Sequence, residues 1–95
     1  MDGAFVMIDA LKIDLGITTS FYDKRLQQYL SYAEQEIRRE CSSLDLNKDQ
    51  DRQLTVMYAA WLWRKRDTGE GMPRMVRYAL NNLIMHSHMK EEADG

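Results

Sequence analysis

Residues 51–84 read DRQLTVMYAAWLWRKRDTGEGMPRMVRYALNNLI and carry both tryptophans of the 95-residue chain. An apolar run ends in the basic cluster Arg64-Lys65-Arg66 and is followed by a turn with two glycines. A second apolar run then begins at Pro73, the only proline. Glycine after one run and proline at the start of the next are typical of a helix end and a helix start. The stretch therefore predicts two helices joined by a short loop, which together supply most of the core.

The first of these two helices is predicted to be apolar on two sides. Helical spacing places on one side Leu54, Met57, Tyr58, Trp61 and Leu62, and on the other side Val56, Ala59, Ala60 and Trp63. A helix of this kind lies at the centre of a bundle or contacts a partner. We expect Trp61 in the core and Trp63 at a subunit interface.

The second helix is predicted to begin at Pro73, because proline fits the first helical position, where its missing N–H is not needed. Arg74 and Arg77 lie three residues apart on the outer side, so both can reach one carboxylate-bearing patch. Beyond Met85 the apolar pattern is lost, and residues 85–95 are predicted to be a fraying helix end and a flexible acidic tail. The inward residues of this helix are Val76, Ala79, Leu80, Leu83 and Ile84.

Two further helices are predicted before this stretch. The first is short and stops at Gly16, since glycine adopts the positive φ of a helix C-cap without steric cost. The second begins near Ser20 or Phe21, where Thr18, Thr19 and Ser20 can cap its N–H groups. Its buried stripe comprises Leu26, Leu30, Ala33 and Ile37, bordered by Tyr22, Tyr29 and Tyr32. The tyrosines fit either the edge of a monomer core or a subunit contact.

The chain is thus predicted to be all-α, a single domain over residues 1–95. We expect a compact bundle of about four helices: a short N-terminal helix, two long central helices and a C-terminal helix, with flexible termini. Residues 42–51 are polar and predicted to be a linker that leads into a helix. The single Cys41 excludes an intramolecular disulfide and fits a reducing compartment. The N-terminal residues do not match a signal peptide, and no transmembrane run is present.

Charge is unevenly distributed along the chain. The net charge is −2, yet residues 61–78 carry five basic and two acidic residues, whereas residues 1–20 and 85–95 are each net −2. A small acidic protein with one basic corner is a poor general nucleic-acid binder. Two alternatives remain open beside a structural role: a small helix-turn-helix DNA-binding protein that reads DNA with residues 73–84, and a generic helical protein-interaction domain.

The sequence shows no recognisable pattern of catalytic or metal-binding residues. His86 and His88 are two positions apart, which on a helix points them roughly 200° from each other rather than at one metal. Together with Cys41 they form no zinc pattern. No nucleophile motif, glycine-rich phosphate loop or framed pair of carboxylates is present. We therefore predict no enzyme activity, no cofactor, and no catalytic, cofactor-binding or metal-binding residues.

Four features follow one another in order: LKIDLGI at residues 11–17, the stripe L-x3-L-x2-A-x3-I at 26–37, YAAWLWRKR at 58–66 and MPRMVRYALNNLI at 72–84. In their order, spacing and total length the chain resembles the small all-helical head-tail connector, or adaptor, proteins of tailed bacteriophages and prophages. The resemblance extends from about Leu11 to Ile84. Its motifs are patterns of apolar and small residues without catalytic groups.

The resemblance implies a structural virion protein at the head–tail interface, found in the host cytoplasm during assembly. It implies a ring of about twelve copies beneath the portal protein, around a channel through which DNA passes without sequence-specific binding. A stopper or tail-completion protein would bind the other side, and no membrane is involved. Residues from Pro73 to Gly95 are expected to engage the portal, with candidate contacts at Met85, His86, His88, Met89 and Lys90.

A closed ring needs two unlike faces on each subunit. We expect a basic side around the loop between the last two helices to meet acidic side chains of the second helix, or the acidic N-terminal segment, of a neighbour. The cations at residues 64–66 also fit a simpler role, because positive charge stabilises a helix C-terminus whatever the function. The candidate interface residues are Trp63, Arg64, Arg66, Arg74, Arg77, Glu34, Glu36 and Glu40.

Overall fold

The structure, a computed structural model, describes the backbone of residues 6–94 and their side chains apart from residue 67 and residues 88–94. All regular structure in this part of the chain is helical: α1 spans Met7–Leu15, α2 Asp23–Glu40, α3 Asp49–Thr68 and α4 Arg74–Asp94. The prediction of an all-α fold with four helices, the first of them short, is confirmed. Residues 1–5 and 95, which belong to the predicted flexible termini, lie outside the described residues.

Glycines end two of the helices. Gly16 follows α1 with a φ of 71°, and the amides of Gly16 and Ile17 donate to the carbonyls of Ile13 and Lys12. This end is the one that the sequence predicts. Gly69 follows α3 with a φ of 68°, and its amide donates over 2.7 Å to a carbonyl of the last turn. A Cβ is strained at such φ values, which is why glycine occupies both positions.

The second helix begins later than predicted. It starts at Asp23 and not near Ser20 or Phe21, and no side chain caps its first turn. The Thr19 hydroxyl oxygen instead accepts a 3.1 Å hydrogen bond from the Phe21 amide, inside the preceding turn. A hydroxyl that closes a local turn is not available as a helix cap. Asp23 pairs with Lys12 of α1 at 2.8 Å and so links the two helices.

The loop between the last two helices is short, as predicted. Helix α3 continues to Thr68, whose hydroxyl donates to the Arg64 carbonyl at 3.2 Å, so the loop comprises residues 69–73. Helix α4 begins at Arg74, so Pro73 stands one position before the helix and not at its first position. Proline suits this place as well, because its fixed φ matches a helix start and it removes no hydrogen bond from the helix.

The last helix is longer than predicted. The apolar pattern ends near Met85, yet α4 continues to Asp94. Helix formation needs backbone propensity rather than an apolar stripe, and the Met, Lys, Glu and Ala of residues 85–94 all favour helix. Helix α4 thus extends past the apolar pattern, while the predicted fraying and flexibility of residues 85–95 stay a prediction.

Helix α3 lies at the centre of the fold, and the three other helices pack on it. Both of its apolar sides contribute buried residues: Leu54, Tyr58 and Leu62 on one, and Val56, Ala59 and Ala60 on the other. Of the two predicted roles for such a helix, the structure shows the centre of a bundle. The predicted stripe of α2 is buried throughout. The molecule is flat, 48 × 37 × 18 Å, which is about two helix layers thick.

Polar contacts fix the loop before α3. The buried Asp51 carboxylate accepts a 2.7 Å hydrogen bond from the Asp45 amide. Arg38 of α2 and Arg52 of α3 each donate to a carbonyl of this loop, at 2.8 and 2.7 Å. A buried carboxylate is stable when hydrogen bonds compensate for lost water. The loop therefore holds the end of α2 against the start of α3.

Leu11 and Ile13 of α1 offer a matched test of the core. Leu11 is fully buried, whereas Ile13 is 80% exposed. Leu11→Ala is expected to lower the free energy of unfolding by about 2–5 kcal/mol, because it leaves a cavity in the core. Ile13→Ala is expected to change it by less than about 0.5 kcal/mol. Urea unfolding followed by circular dichroism measures both, and equal effects would contradict this packing of α1.

Candidate interaction surfaces

Four aromatic side chains form one partly exposed cluster, the aromatic platform, which consists of Phe21, Tyr22, Tyr29 and Trp63. Ring centroids are 5.1 Å apart for Phe21 and Tyr22, 5.7 Å for Tyr22 and Trp63, and 5.3 Å for Tyr29 and Trp63, all edge-to-face. This geometry is favourable for aromatic pairs. Phe21 is 81% exposed and Tyr22 41% exposed, so the platform presents apolar ring surface to solvent.

Cations surround the aromatic platform. The Arg66 guanidinium lies 4.1 Å from the centroid of the Trp63 ring, which is a cation–π contact. With Lys24, Arg25 and Gln28, these residues line a depression of about 470 Å³ whose described lining includes no carboxylate. A positive depression with aromatic walls suits an acidic partner that also offers apolar side chains.

The predicted interface residue Trp63 lies in this platform and is partly buried. The sequence does not identify Phe21, Lys24 or Arg25 as neighbours of Trp63, because these residues lie near the start of α2 and Trp63 lies far along the chain in α3. The available signal is the segment TTSFYDKR, residues 18–25, where exposed aromatic residues precede two cations. Only the fold shows that this segment meets Trp63.

Trp61 lies at the edge of the core and not inside it. Its ring packs edge-to-face on Tyr58 at 5.4 Å and is partly buried. The indole Nε1 donates a 3.1 Å hydrogen bond to the Glu70 carbonyl, and Lys65 Nζ lies 4.5 Å from the ring centroid. An indole N–H needs a hydrogen-bond partner, which explains the position at the edge. Trp61 thus ties the loop after α3 to the helix.

The four arginines of the predicted basic side have different surroundings. Arg64 Nη2 donates at 3.0 Å to the Asp14 carbonyl near the end of α1, where the helix dipole favours a cation. Arg66 covers the aromatic platform, whereas Arg74 and Arg77 are exposed on α4. Arg64 therefore joins α3 to α1 within the monomer. The simpler role predicted for a cation at a helix end applies here to α1.

Two of the three carboxylates predicted to meet the basic side are paired within α2. Glu34 lies 3.0 Å from Arg38, and Glu36 lies 3.3 Å from Arg39. Surface pairs of this kind contribute at most about 1 kcal/mol, so a cation from a neighbour can replace the partner in α2. Glu40 is exposed at the end of the same helix.

Charges that are separate in the sequence come together around the Tyr58 hydroxyl. Burial raises the pKa of Tyr58 above its ordinary value of 10.0, and the carboxylates of Glu36 and Glu40 raise it further, whereas Arg77 lowers it. One predicted basic residue thus lies near two predicted acidic residues of the same monomer. The basic and acidic sides that the sequence suggests are not fully separate in the fold.

The outer side of α4 carries exposed apolar residues. The exposed fractions are 72% for Met75, 59% for Tyr78 and 62% for Met85. Large apolar side chains exposed along one helix are typical of a contact surface. Met85 and His86, two of the predicted portal contacts, are both exposed. The side chains of the other predicted contacts lie outside the described residues: His88, Met89 and Lys90.

The inner side of α4 forms a groove of about 380 Å³ with α3, lined in part by Leu54, Met57, Leu83 and His86. No cluster of His, Cys, Asp or Glu among the described side chains is placed to hold a metal ion. The groove exposes more apolar than polar surface, and polar side chains at its rim include Lys48, Gln53 and Asn82. It suits a contact with another protein better than a small-molecule reaction.

The helix-turn-helix alternative fits this geometry poorly. Five residues, 69–73, separate α3 from α4, which is more than the three or four of the usual turn. On α4 the exposed Arg74 and Arg77 alternate with the exposed apolar Met75 and Tyr78. Such a mixture suits a protein surface more than the polar edges of base pairs.

A small helical fold with exposed apolar and charged side chains is typical of a protein that works through contacts with other proteins. The sequence matches the family described as Phage gp6-like head-tail connector protein over residues 5–95, and the chain belongs to this structural, non-enzymatic family. The resemblance predicted from the sequence is confirmed. No curated protein and no solved structure matches the chain. None of the helices within residues 6–94 has both the length and the hydropathy that crossing a bilayer requires.

A comparison of Arg64 with Arg74 tests whether Arg64 stabilises the fold while Arg74 only lies on the surface. Arg64→Gln removes the hydrogen bond to the Asp14 carbonyl and is expected to lower the free energy of unfolding by about 0.5–1.5 kcal/mol. Arg74→Gln, on exposed α4, is expected to change it by less than about 0.5 kcal/mol. Both values come from urea unfolding. Indistinguishable values for the two variants would show that Arg64 does not hold α1.

Tyr58 is expected to lower the stability of the protein at alkaline pH. Its pKa is raised in the folded chain, so folding favours the neutral phenol. This contribution to stability is complete below the ordinary pKa of 10.0 and is lost as the pH rises through the folded value. The difference in ultraviolet titration between wild type and Tyr58→Phe is expected to have its midpoint above pH 10.0. A midpoint at or below that pH would contradict the burial of Tyr58.

Proposed function

We propose that this chain is a ring-forming head–tail connector. About twelve copies form a ring beneath the portal protein, around the channel through which DNA passes, and a stopper or tail-completion protein binds the other side. The chain acts without catalysis or a cofactor, at the head–tail interface of the virion, after assembly in the host cytoplasm. The family assignment supports this role, because its members are structural connectors.

The observation that carries the proposal is the exposed apolar side of α4. Met75, Tyr78 and Met85 are mostly exposed in the monomer, and burial of such surface favours association by about 25 cal/mol per Å². We place the portal contact on this helix. Its candidate residues are Met85, His86, His88, Met89 and Lys90.

Ring closure finds support in the variety of surfaces that one monomer offers. A contact between unlike surfaces repeats from copy to copy and closes a ring. Arg74 and Arg77 are exposed cations on α4. On α2, Glu34 and Glu36 form weak surface ion pairs, and Glu40 is exposed. We propose that these cations of one copy meet these carboxylates of the next.

The charge of the chain is compatible with a DNA channel. The net charge is −2, and a wall without a basic excess does not hold phosphates firmly. DNA can therefore slide past without sequence-specific binding. The exposed arginines serve contacts between proteins in this proposal, and no membrane takes part.

Charge reversal of Arg74 and Arg77 tests the proposal. The purified chain is added to portal rings of the phage that encodes it, and mass photometry records how many copies bind. Wild type is expected to add mass in a step that matches the symmetry of the portal. The double variant Arg74→Glu, Arg77→Glu is expected to load less at low salt, with a smaller difference at higher salt, because salt screens exposed charges.

Ser42→Glu provides the control, since Ser42 is an exposed residue between α2 and α3 that lies outside the surfaces described above. It is expected to load like wild type. Failure of wild type to load would contradict the connector proposal. Equal loading of wild type and the double variant at low and moderate salt would reject only the charged contact. Salt-dependent duplex binding in a gel-shift titration would instead favour the DNA-binding alternative.

A further inference from the structure

The outer side of α1 combines apolar and acidic side chains. Val6 and Ile13 are 48% and 80% exposed, and Asp9 is exposed with them. Leu11, on the opposite side of the helix, is fully buried. Positions 6, 9 and 13 are three and four residues apart, so they form one row on a helix. We call Val6, Asp9 and Ile13 the α1 stripe.

The aromatic platform has the complementary character. It offers the exposed ring of Phe21, and it is surrounded by Lys24, Arg25 and Arg66. Apolar surface on both partners and charges of opposite sign make the platform and the α1 stripe fit each other. Neither surface fits a second copy of itself, since the charges would then have the same sign. A contact that uses both is therefore a contact between two unlike surfaces.

We propose that the α1 stripe of one copy docks on the aromatic platform of the next copy in the ring. This inference rests on the proposed function, since it names a further contact between neighbouring copies of the connector ring. Ile13 enters the depression beside Phe21, and Asp9 meets Lys24 or Arg25. Because the two surfaces differ, the contact repeats from copy to copy instead of joining two copies in a closed pair.

Two contacts hold the α1 stripe in a fixed position relative to the platform of the same copy. Lys12 of α1 pairs at 2.8 Å with Asp23, which directly follows the platform residue Tyr22. Arg64, next to Trp63 in α3, donates to the Asp14 carbonyl at 3.0 Å. A fixed angle between two complementary surfaces determines how sharply successive copies turn, and hence whether the ring closes.

Single-stranded nucleic acid is the other ligand that exposed aromatic side chains and cations can bind together. Bases stack on the open face of an aromatic ring. At the platform Arg66 already covers one face of Trp63, and Tyr22 and Tyr29 pack against the same ring. The geometry therefore favours a protein partner, which needs the exposed edge of the platform and not a free face of Trp63.

Loading onto portal rings, followed by mass photometry, tests the contact. Arg25→Glu alters the platform and Asp9→Arg alters the α1 stripe, and both positions are exposed. Each variant is expected to raise the concentration for half-maximal loading by roughly tenfold, which corresponds to ~1.4 kcal/mol. Ser42→Glu, which adds a charge outside both surfaces, is expected to load like wild type. Circular dichroism checks that all variants remain folded.

The double variant Asp9→Arg, Arg25→Glu exchanges the two charges across the proposed contact. Every contact between neighbouring copies then carries the exchanged pair, and loading is expected to recover toward wild type. Losses that add instead would overturn the proposal, because independent sites give additive effects. Phe21→Ala removes an exposed ring and is expected to weaken loading at every salt concentration, whereas the charge variants lose their effect at high salt.

These results separate the two proposals. Failure of wild type to load would contradict the connector function and this contact with it. Normal loading by wild type and by all variants would overturn only the contact between the α1 stripe and the platform. Retention of single-stranded DNA by wild type, lost in Arg25→Glu and kept in Asp9→Arg, would assign the platform to nucleic acid instead.

Discussion

The fold depends on the burial of α3 on more than one side. Thr55, Val56 and Ala59 in the middle of this helix are completely buried, and α1, α2 and α4 all pack on it. A chain of 95 residues has a limited core. Each helix with a single apolar stripe therefore needs a central helix such as α3 to bury that stripe. Anything that disturbs the central part of α3 therefore affects every other helix at once.

The same helix also arranges the surface. At its C-terminal end, Trp63 supplies the aromatic platform, Trp61 holds the following loop, and Arg64 holds the end of α1. These neighbours in sequence point to different sides of the helix. Substitutions of Trp63 would change stability and surface together, whereas exposed positions such as Phe21 and Arg25 change the surface alone.

Much of the fold can be predicted from local signals in the sequence. The stripe of α2 and the stop at Gly16 follow from periodicity and from the backbone freedom of glycine, and the structure confirms both. The start of α2 could not be predicted, because Thr19 closes a turn that the sequence does not show. The end of α4 was missed because periodicity reports burial, while propensity alone can extend a helix.

The candidate surfaces were harder to predict, since they combine distant residues. Trp63 can be singled out from the sequence, but its contact with Tyr22 and Tyr29 depends on how α2 crosses α3. Arg77 lies near Glu36 and Glu40 only because α4 folds back beside Tyr58.

The positions of the two tryptophans have one more consequence. Trp61 sits at the joint before α4 and Trp63 on the platform, so their fluorescence gives two built-in probes. Replacing Trp61 by phenylalanine would leave a chain whose remaining tryptophan, Trp63, reports on the aromatic platform as partners bind.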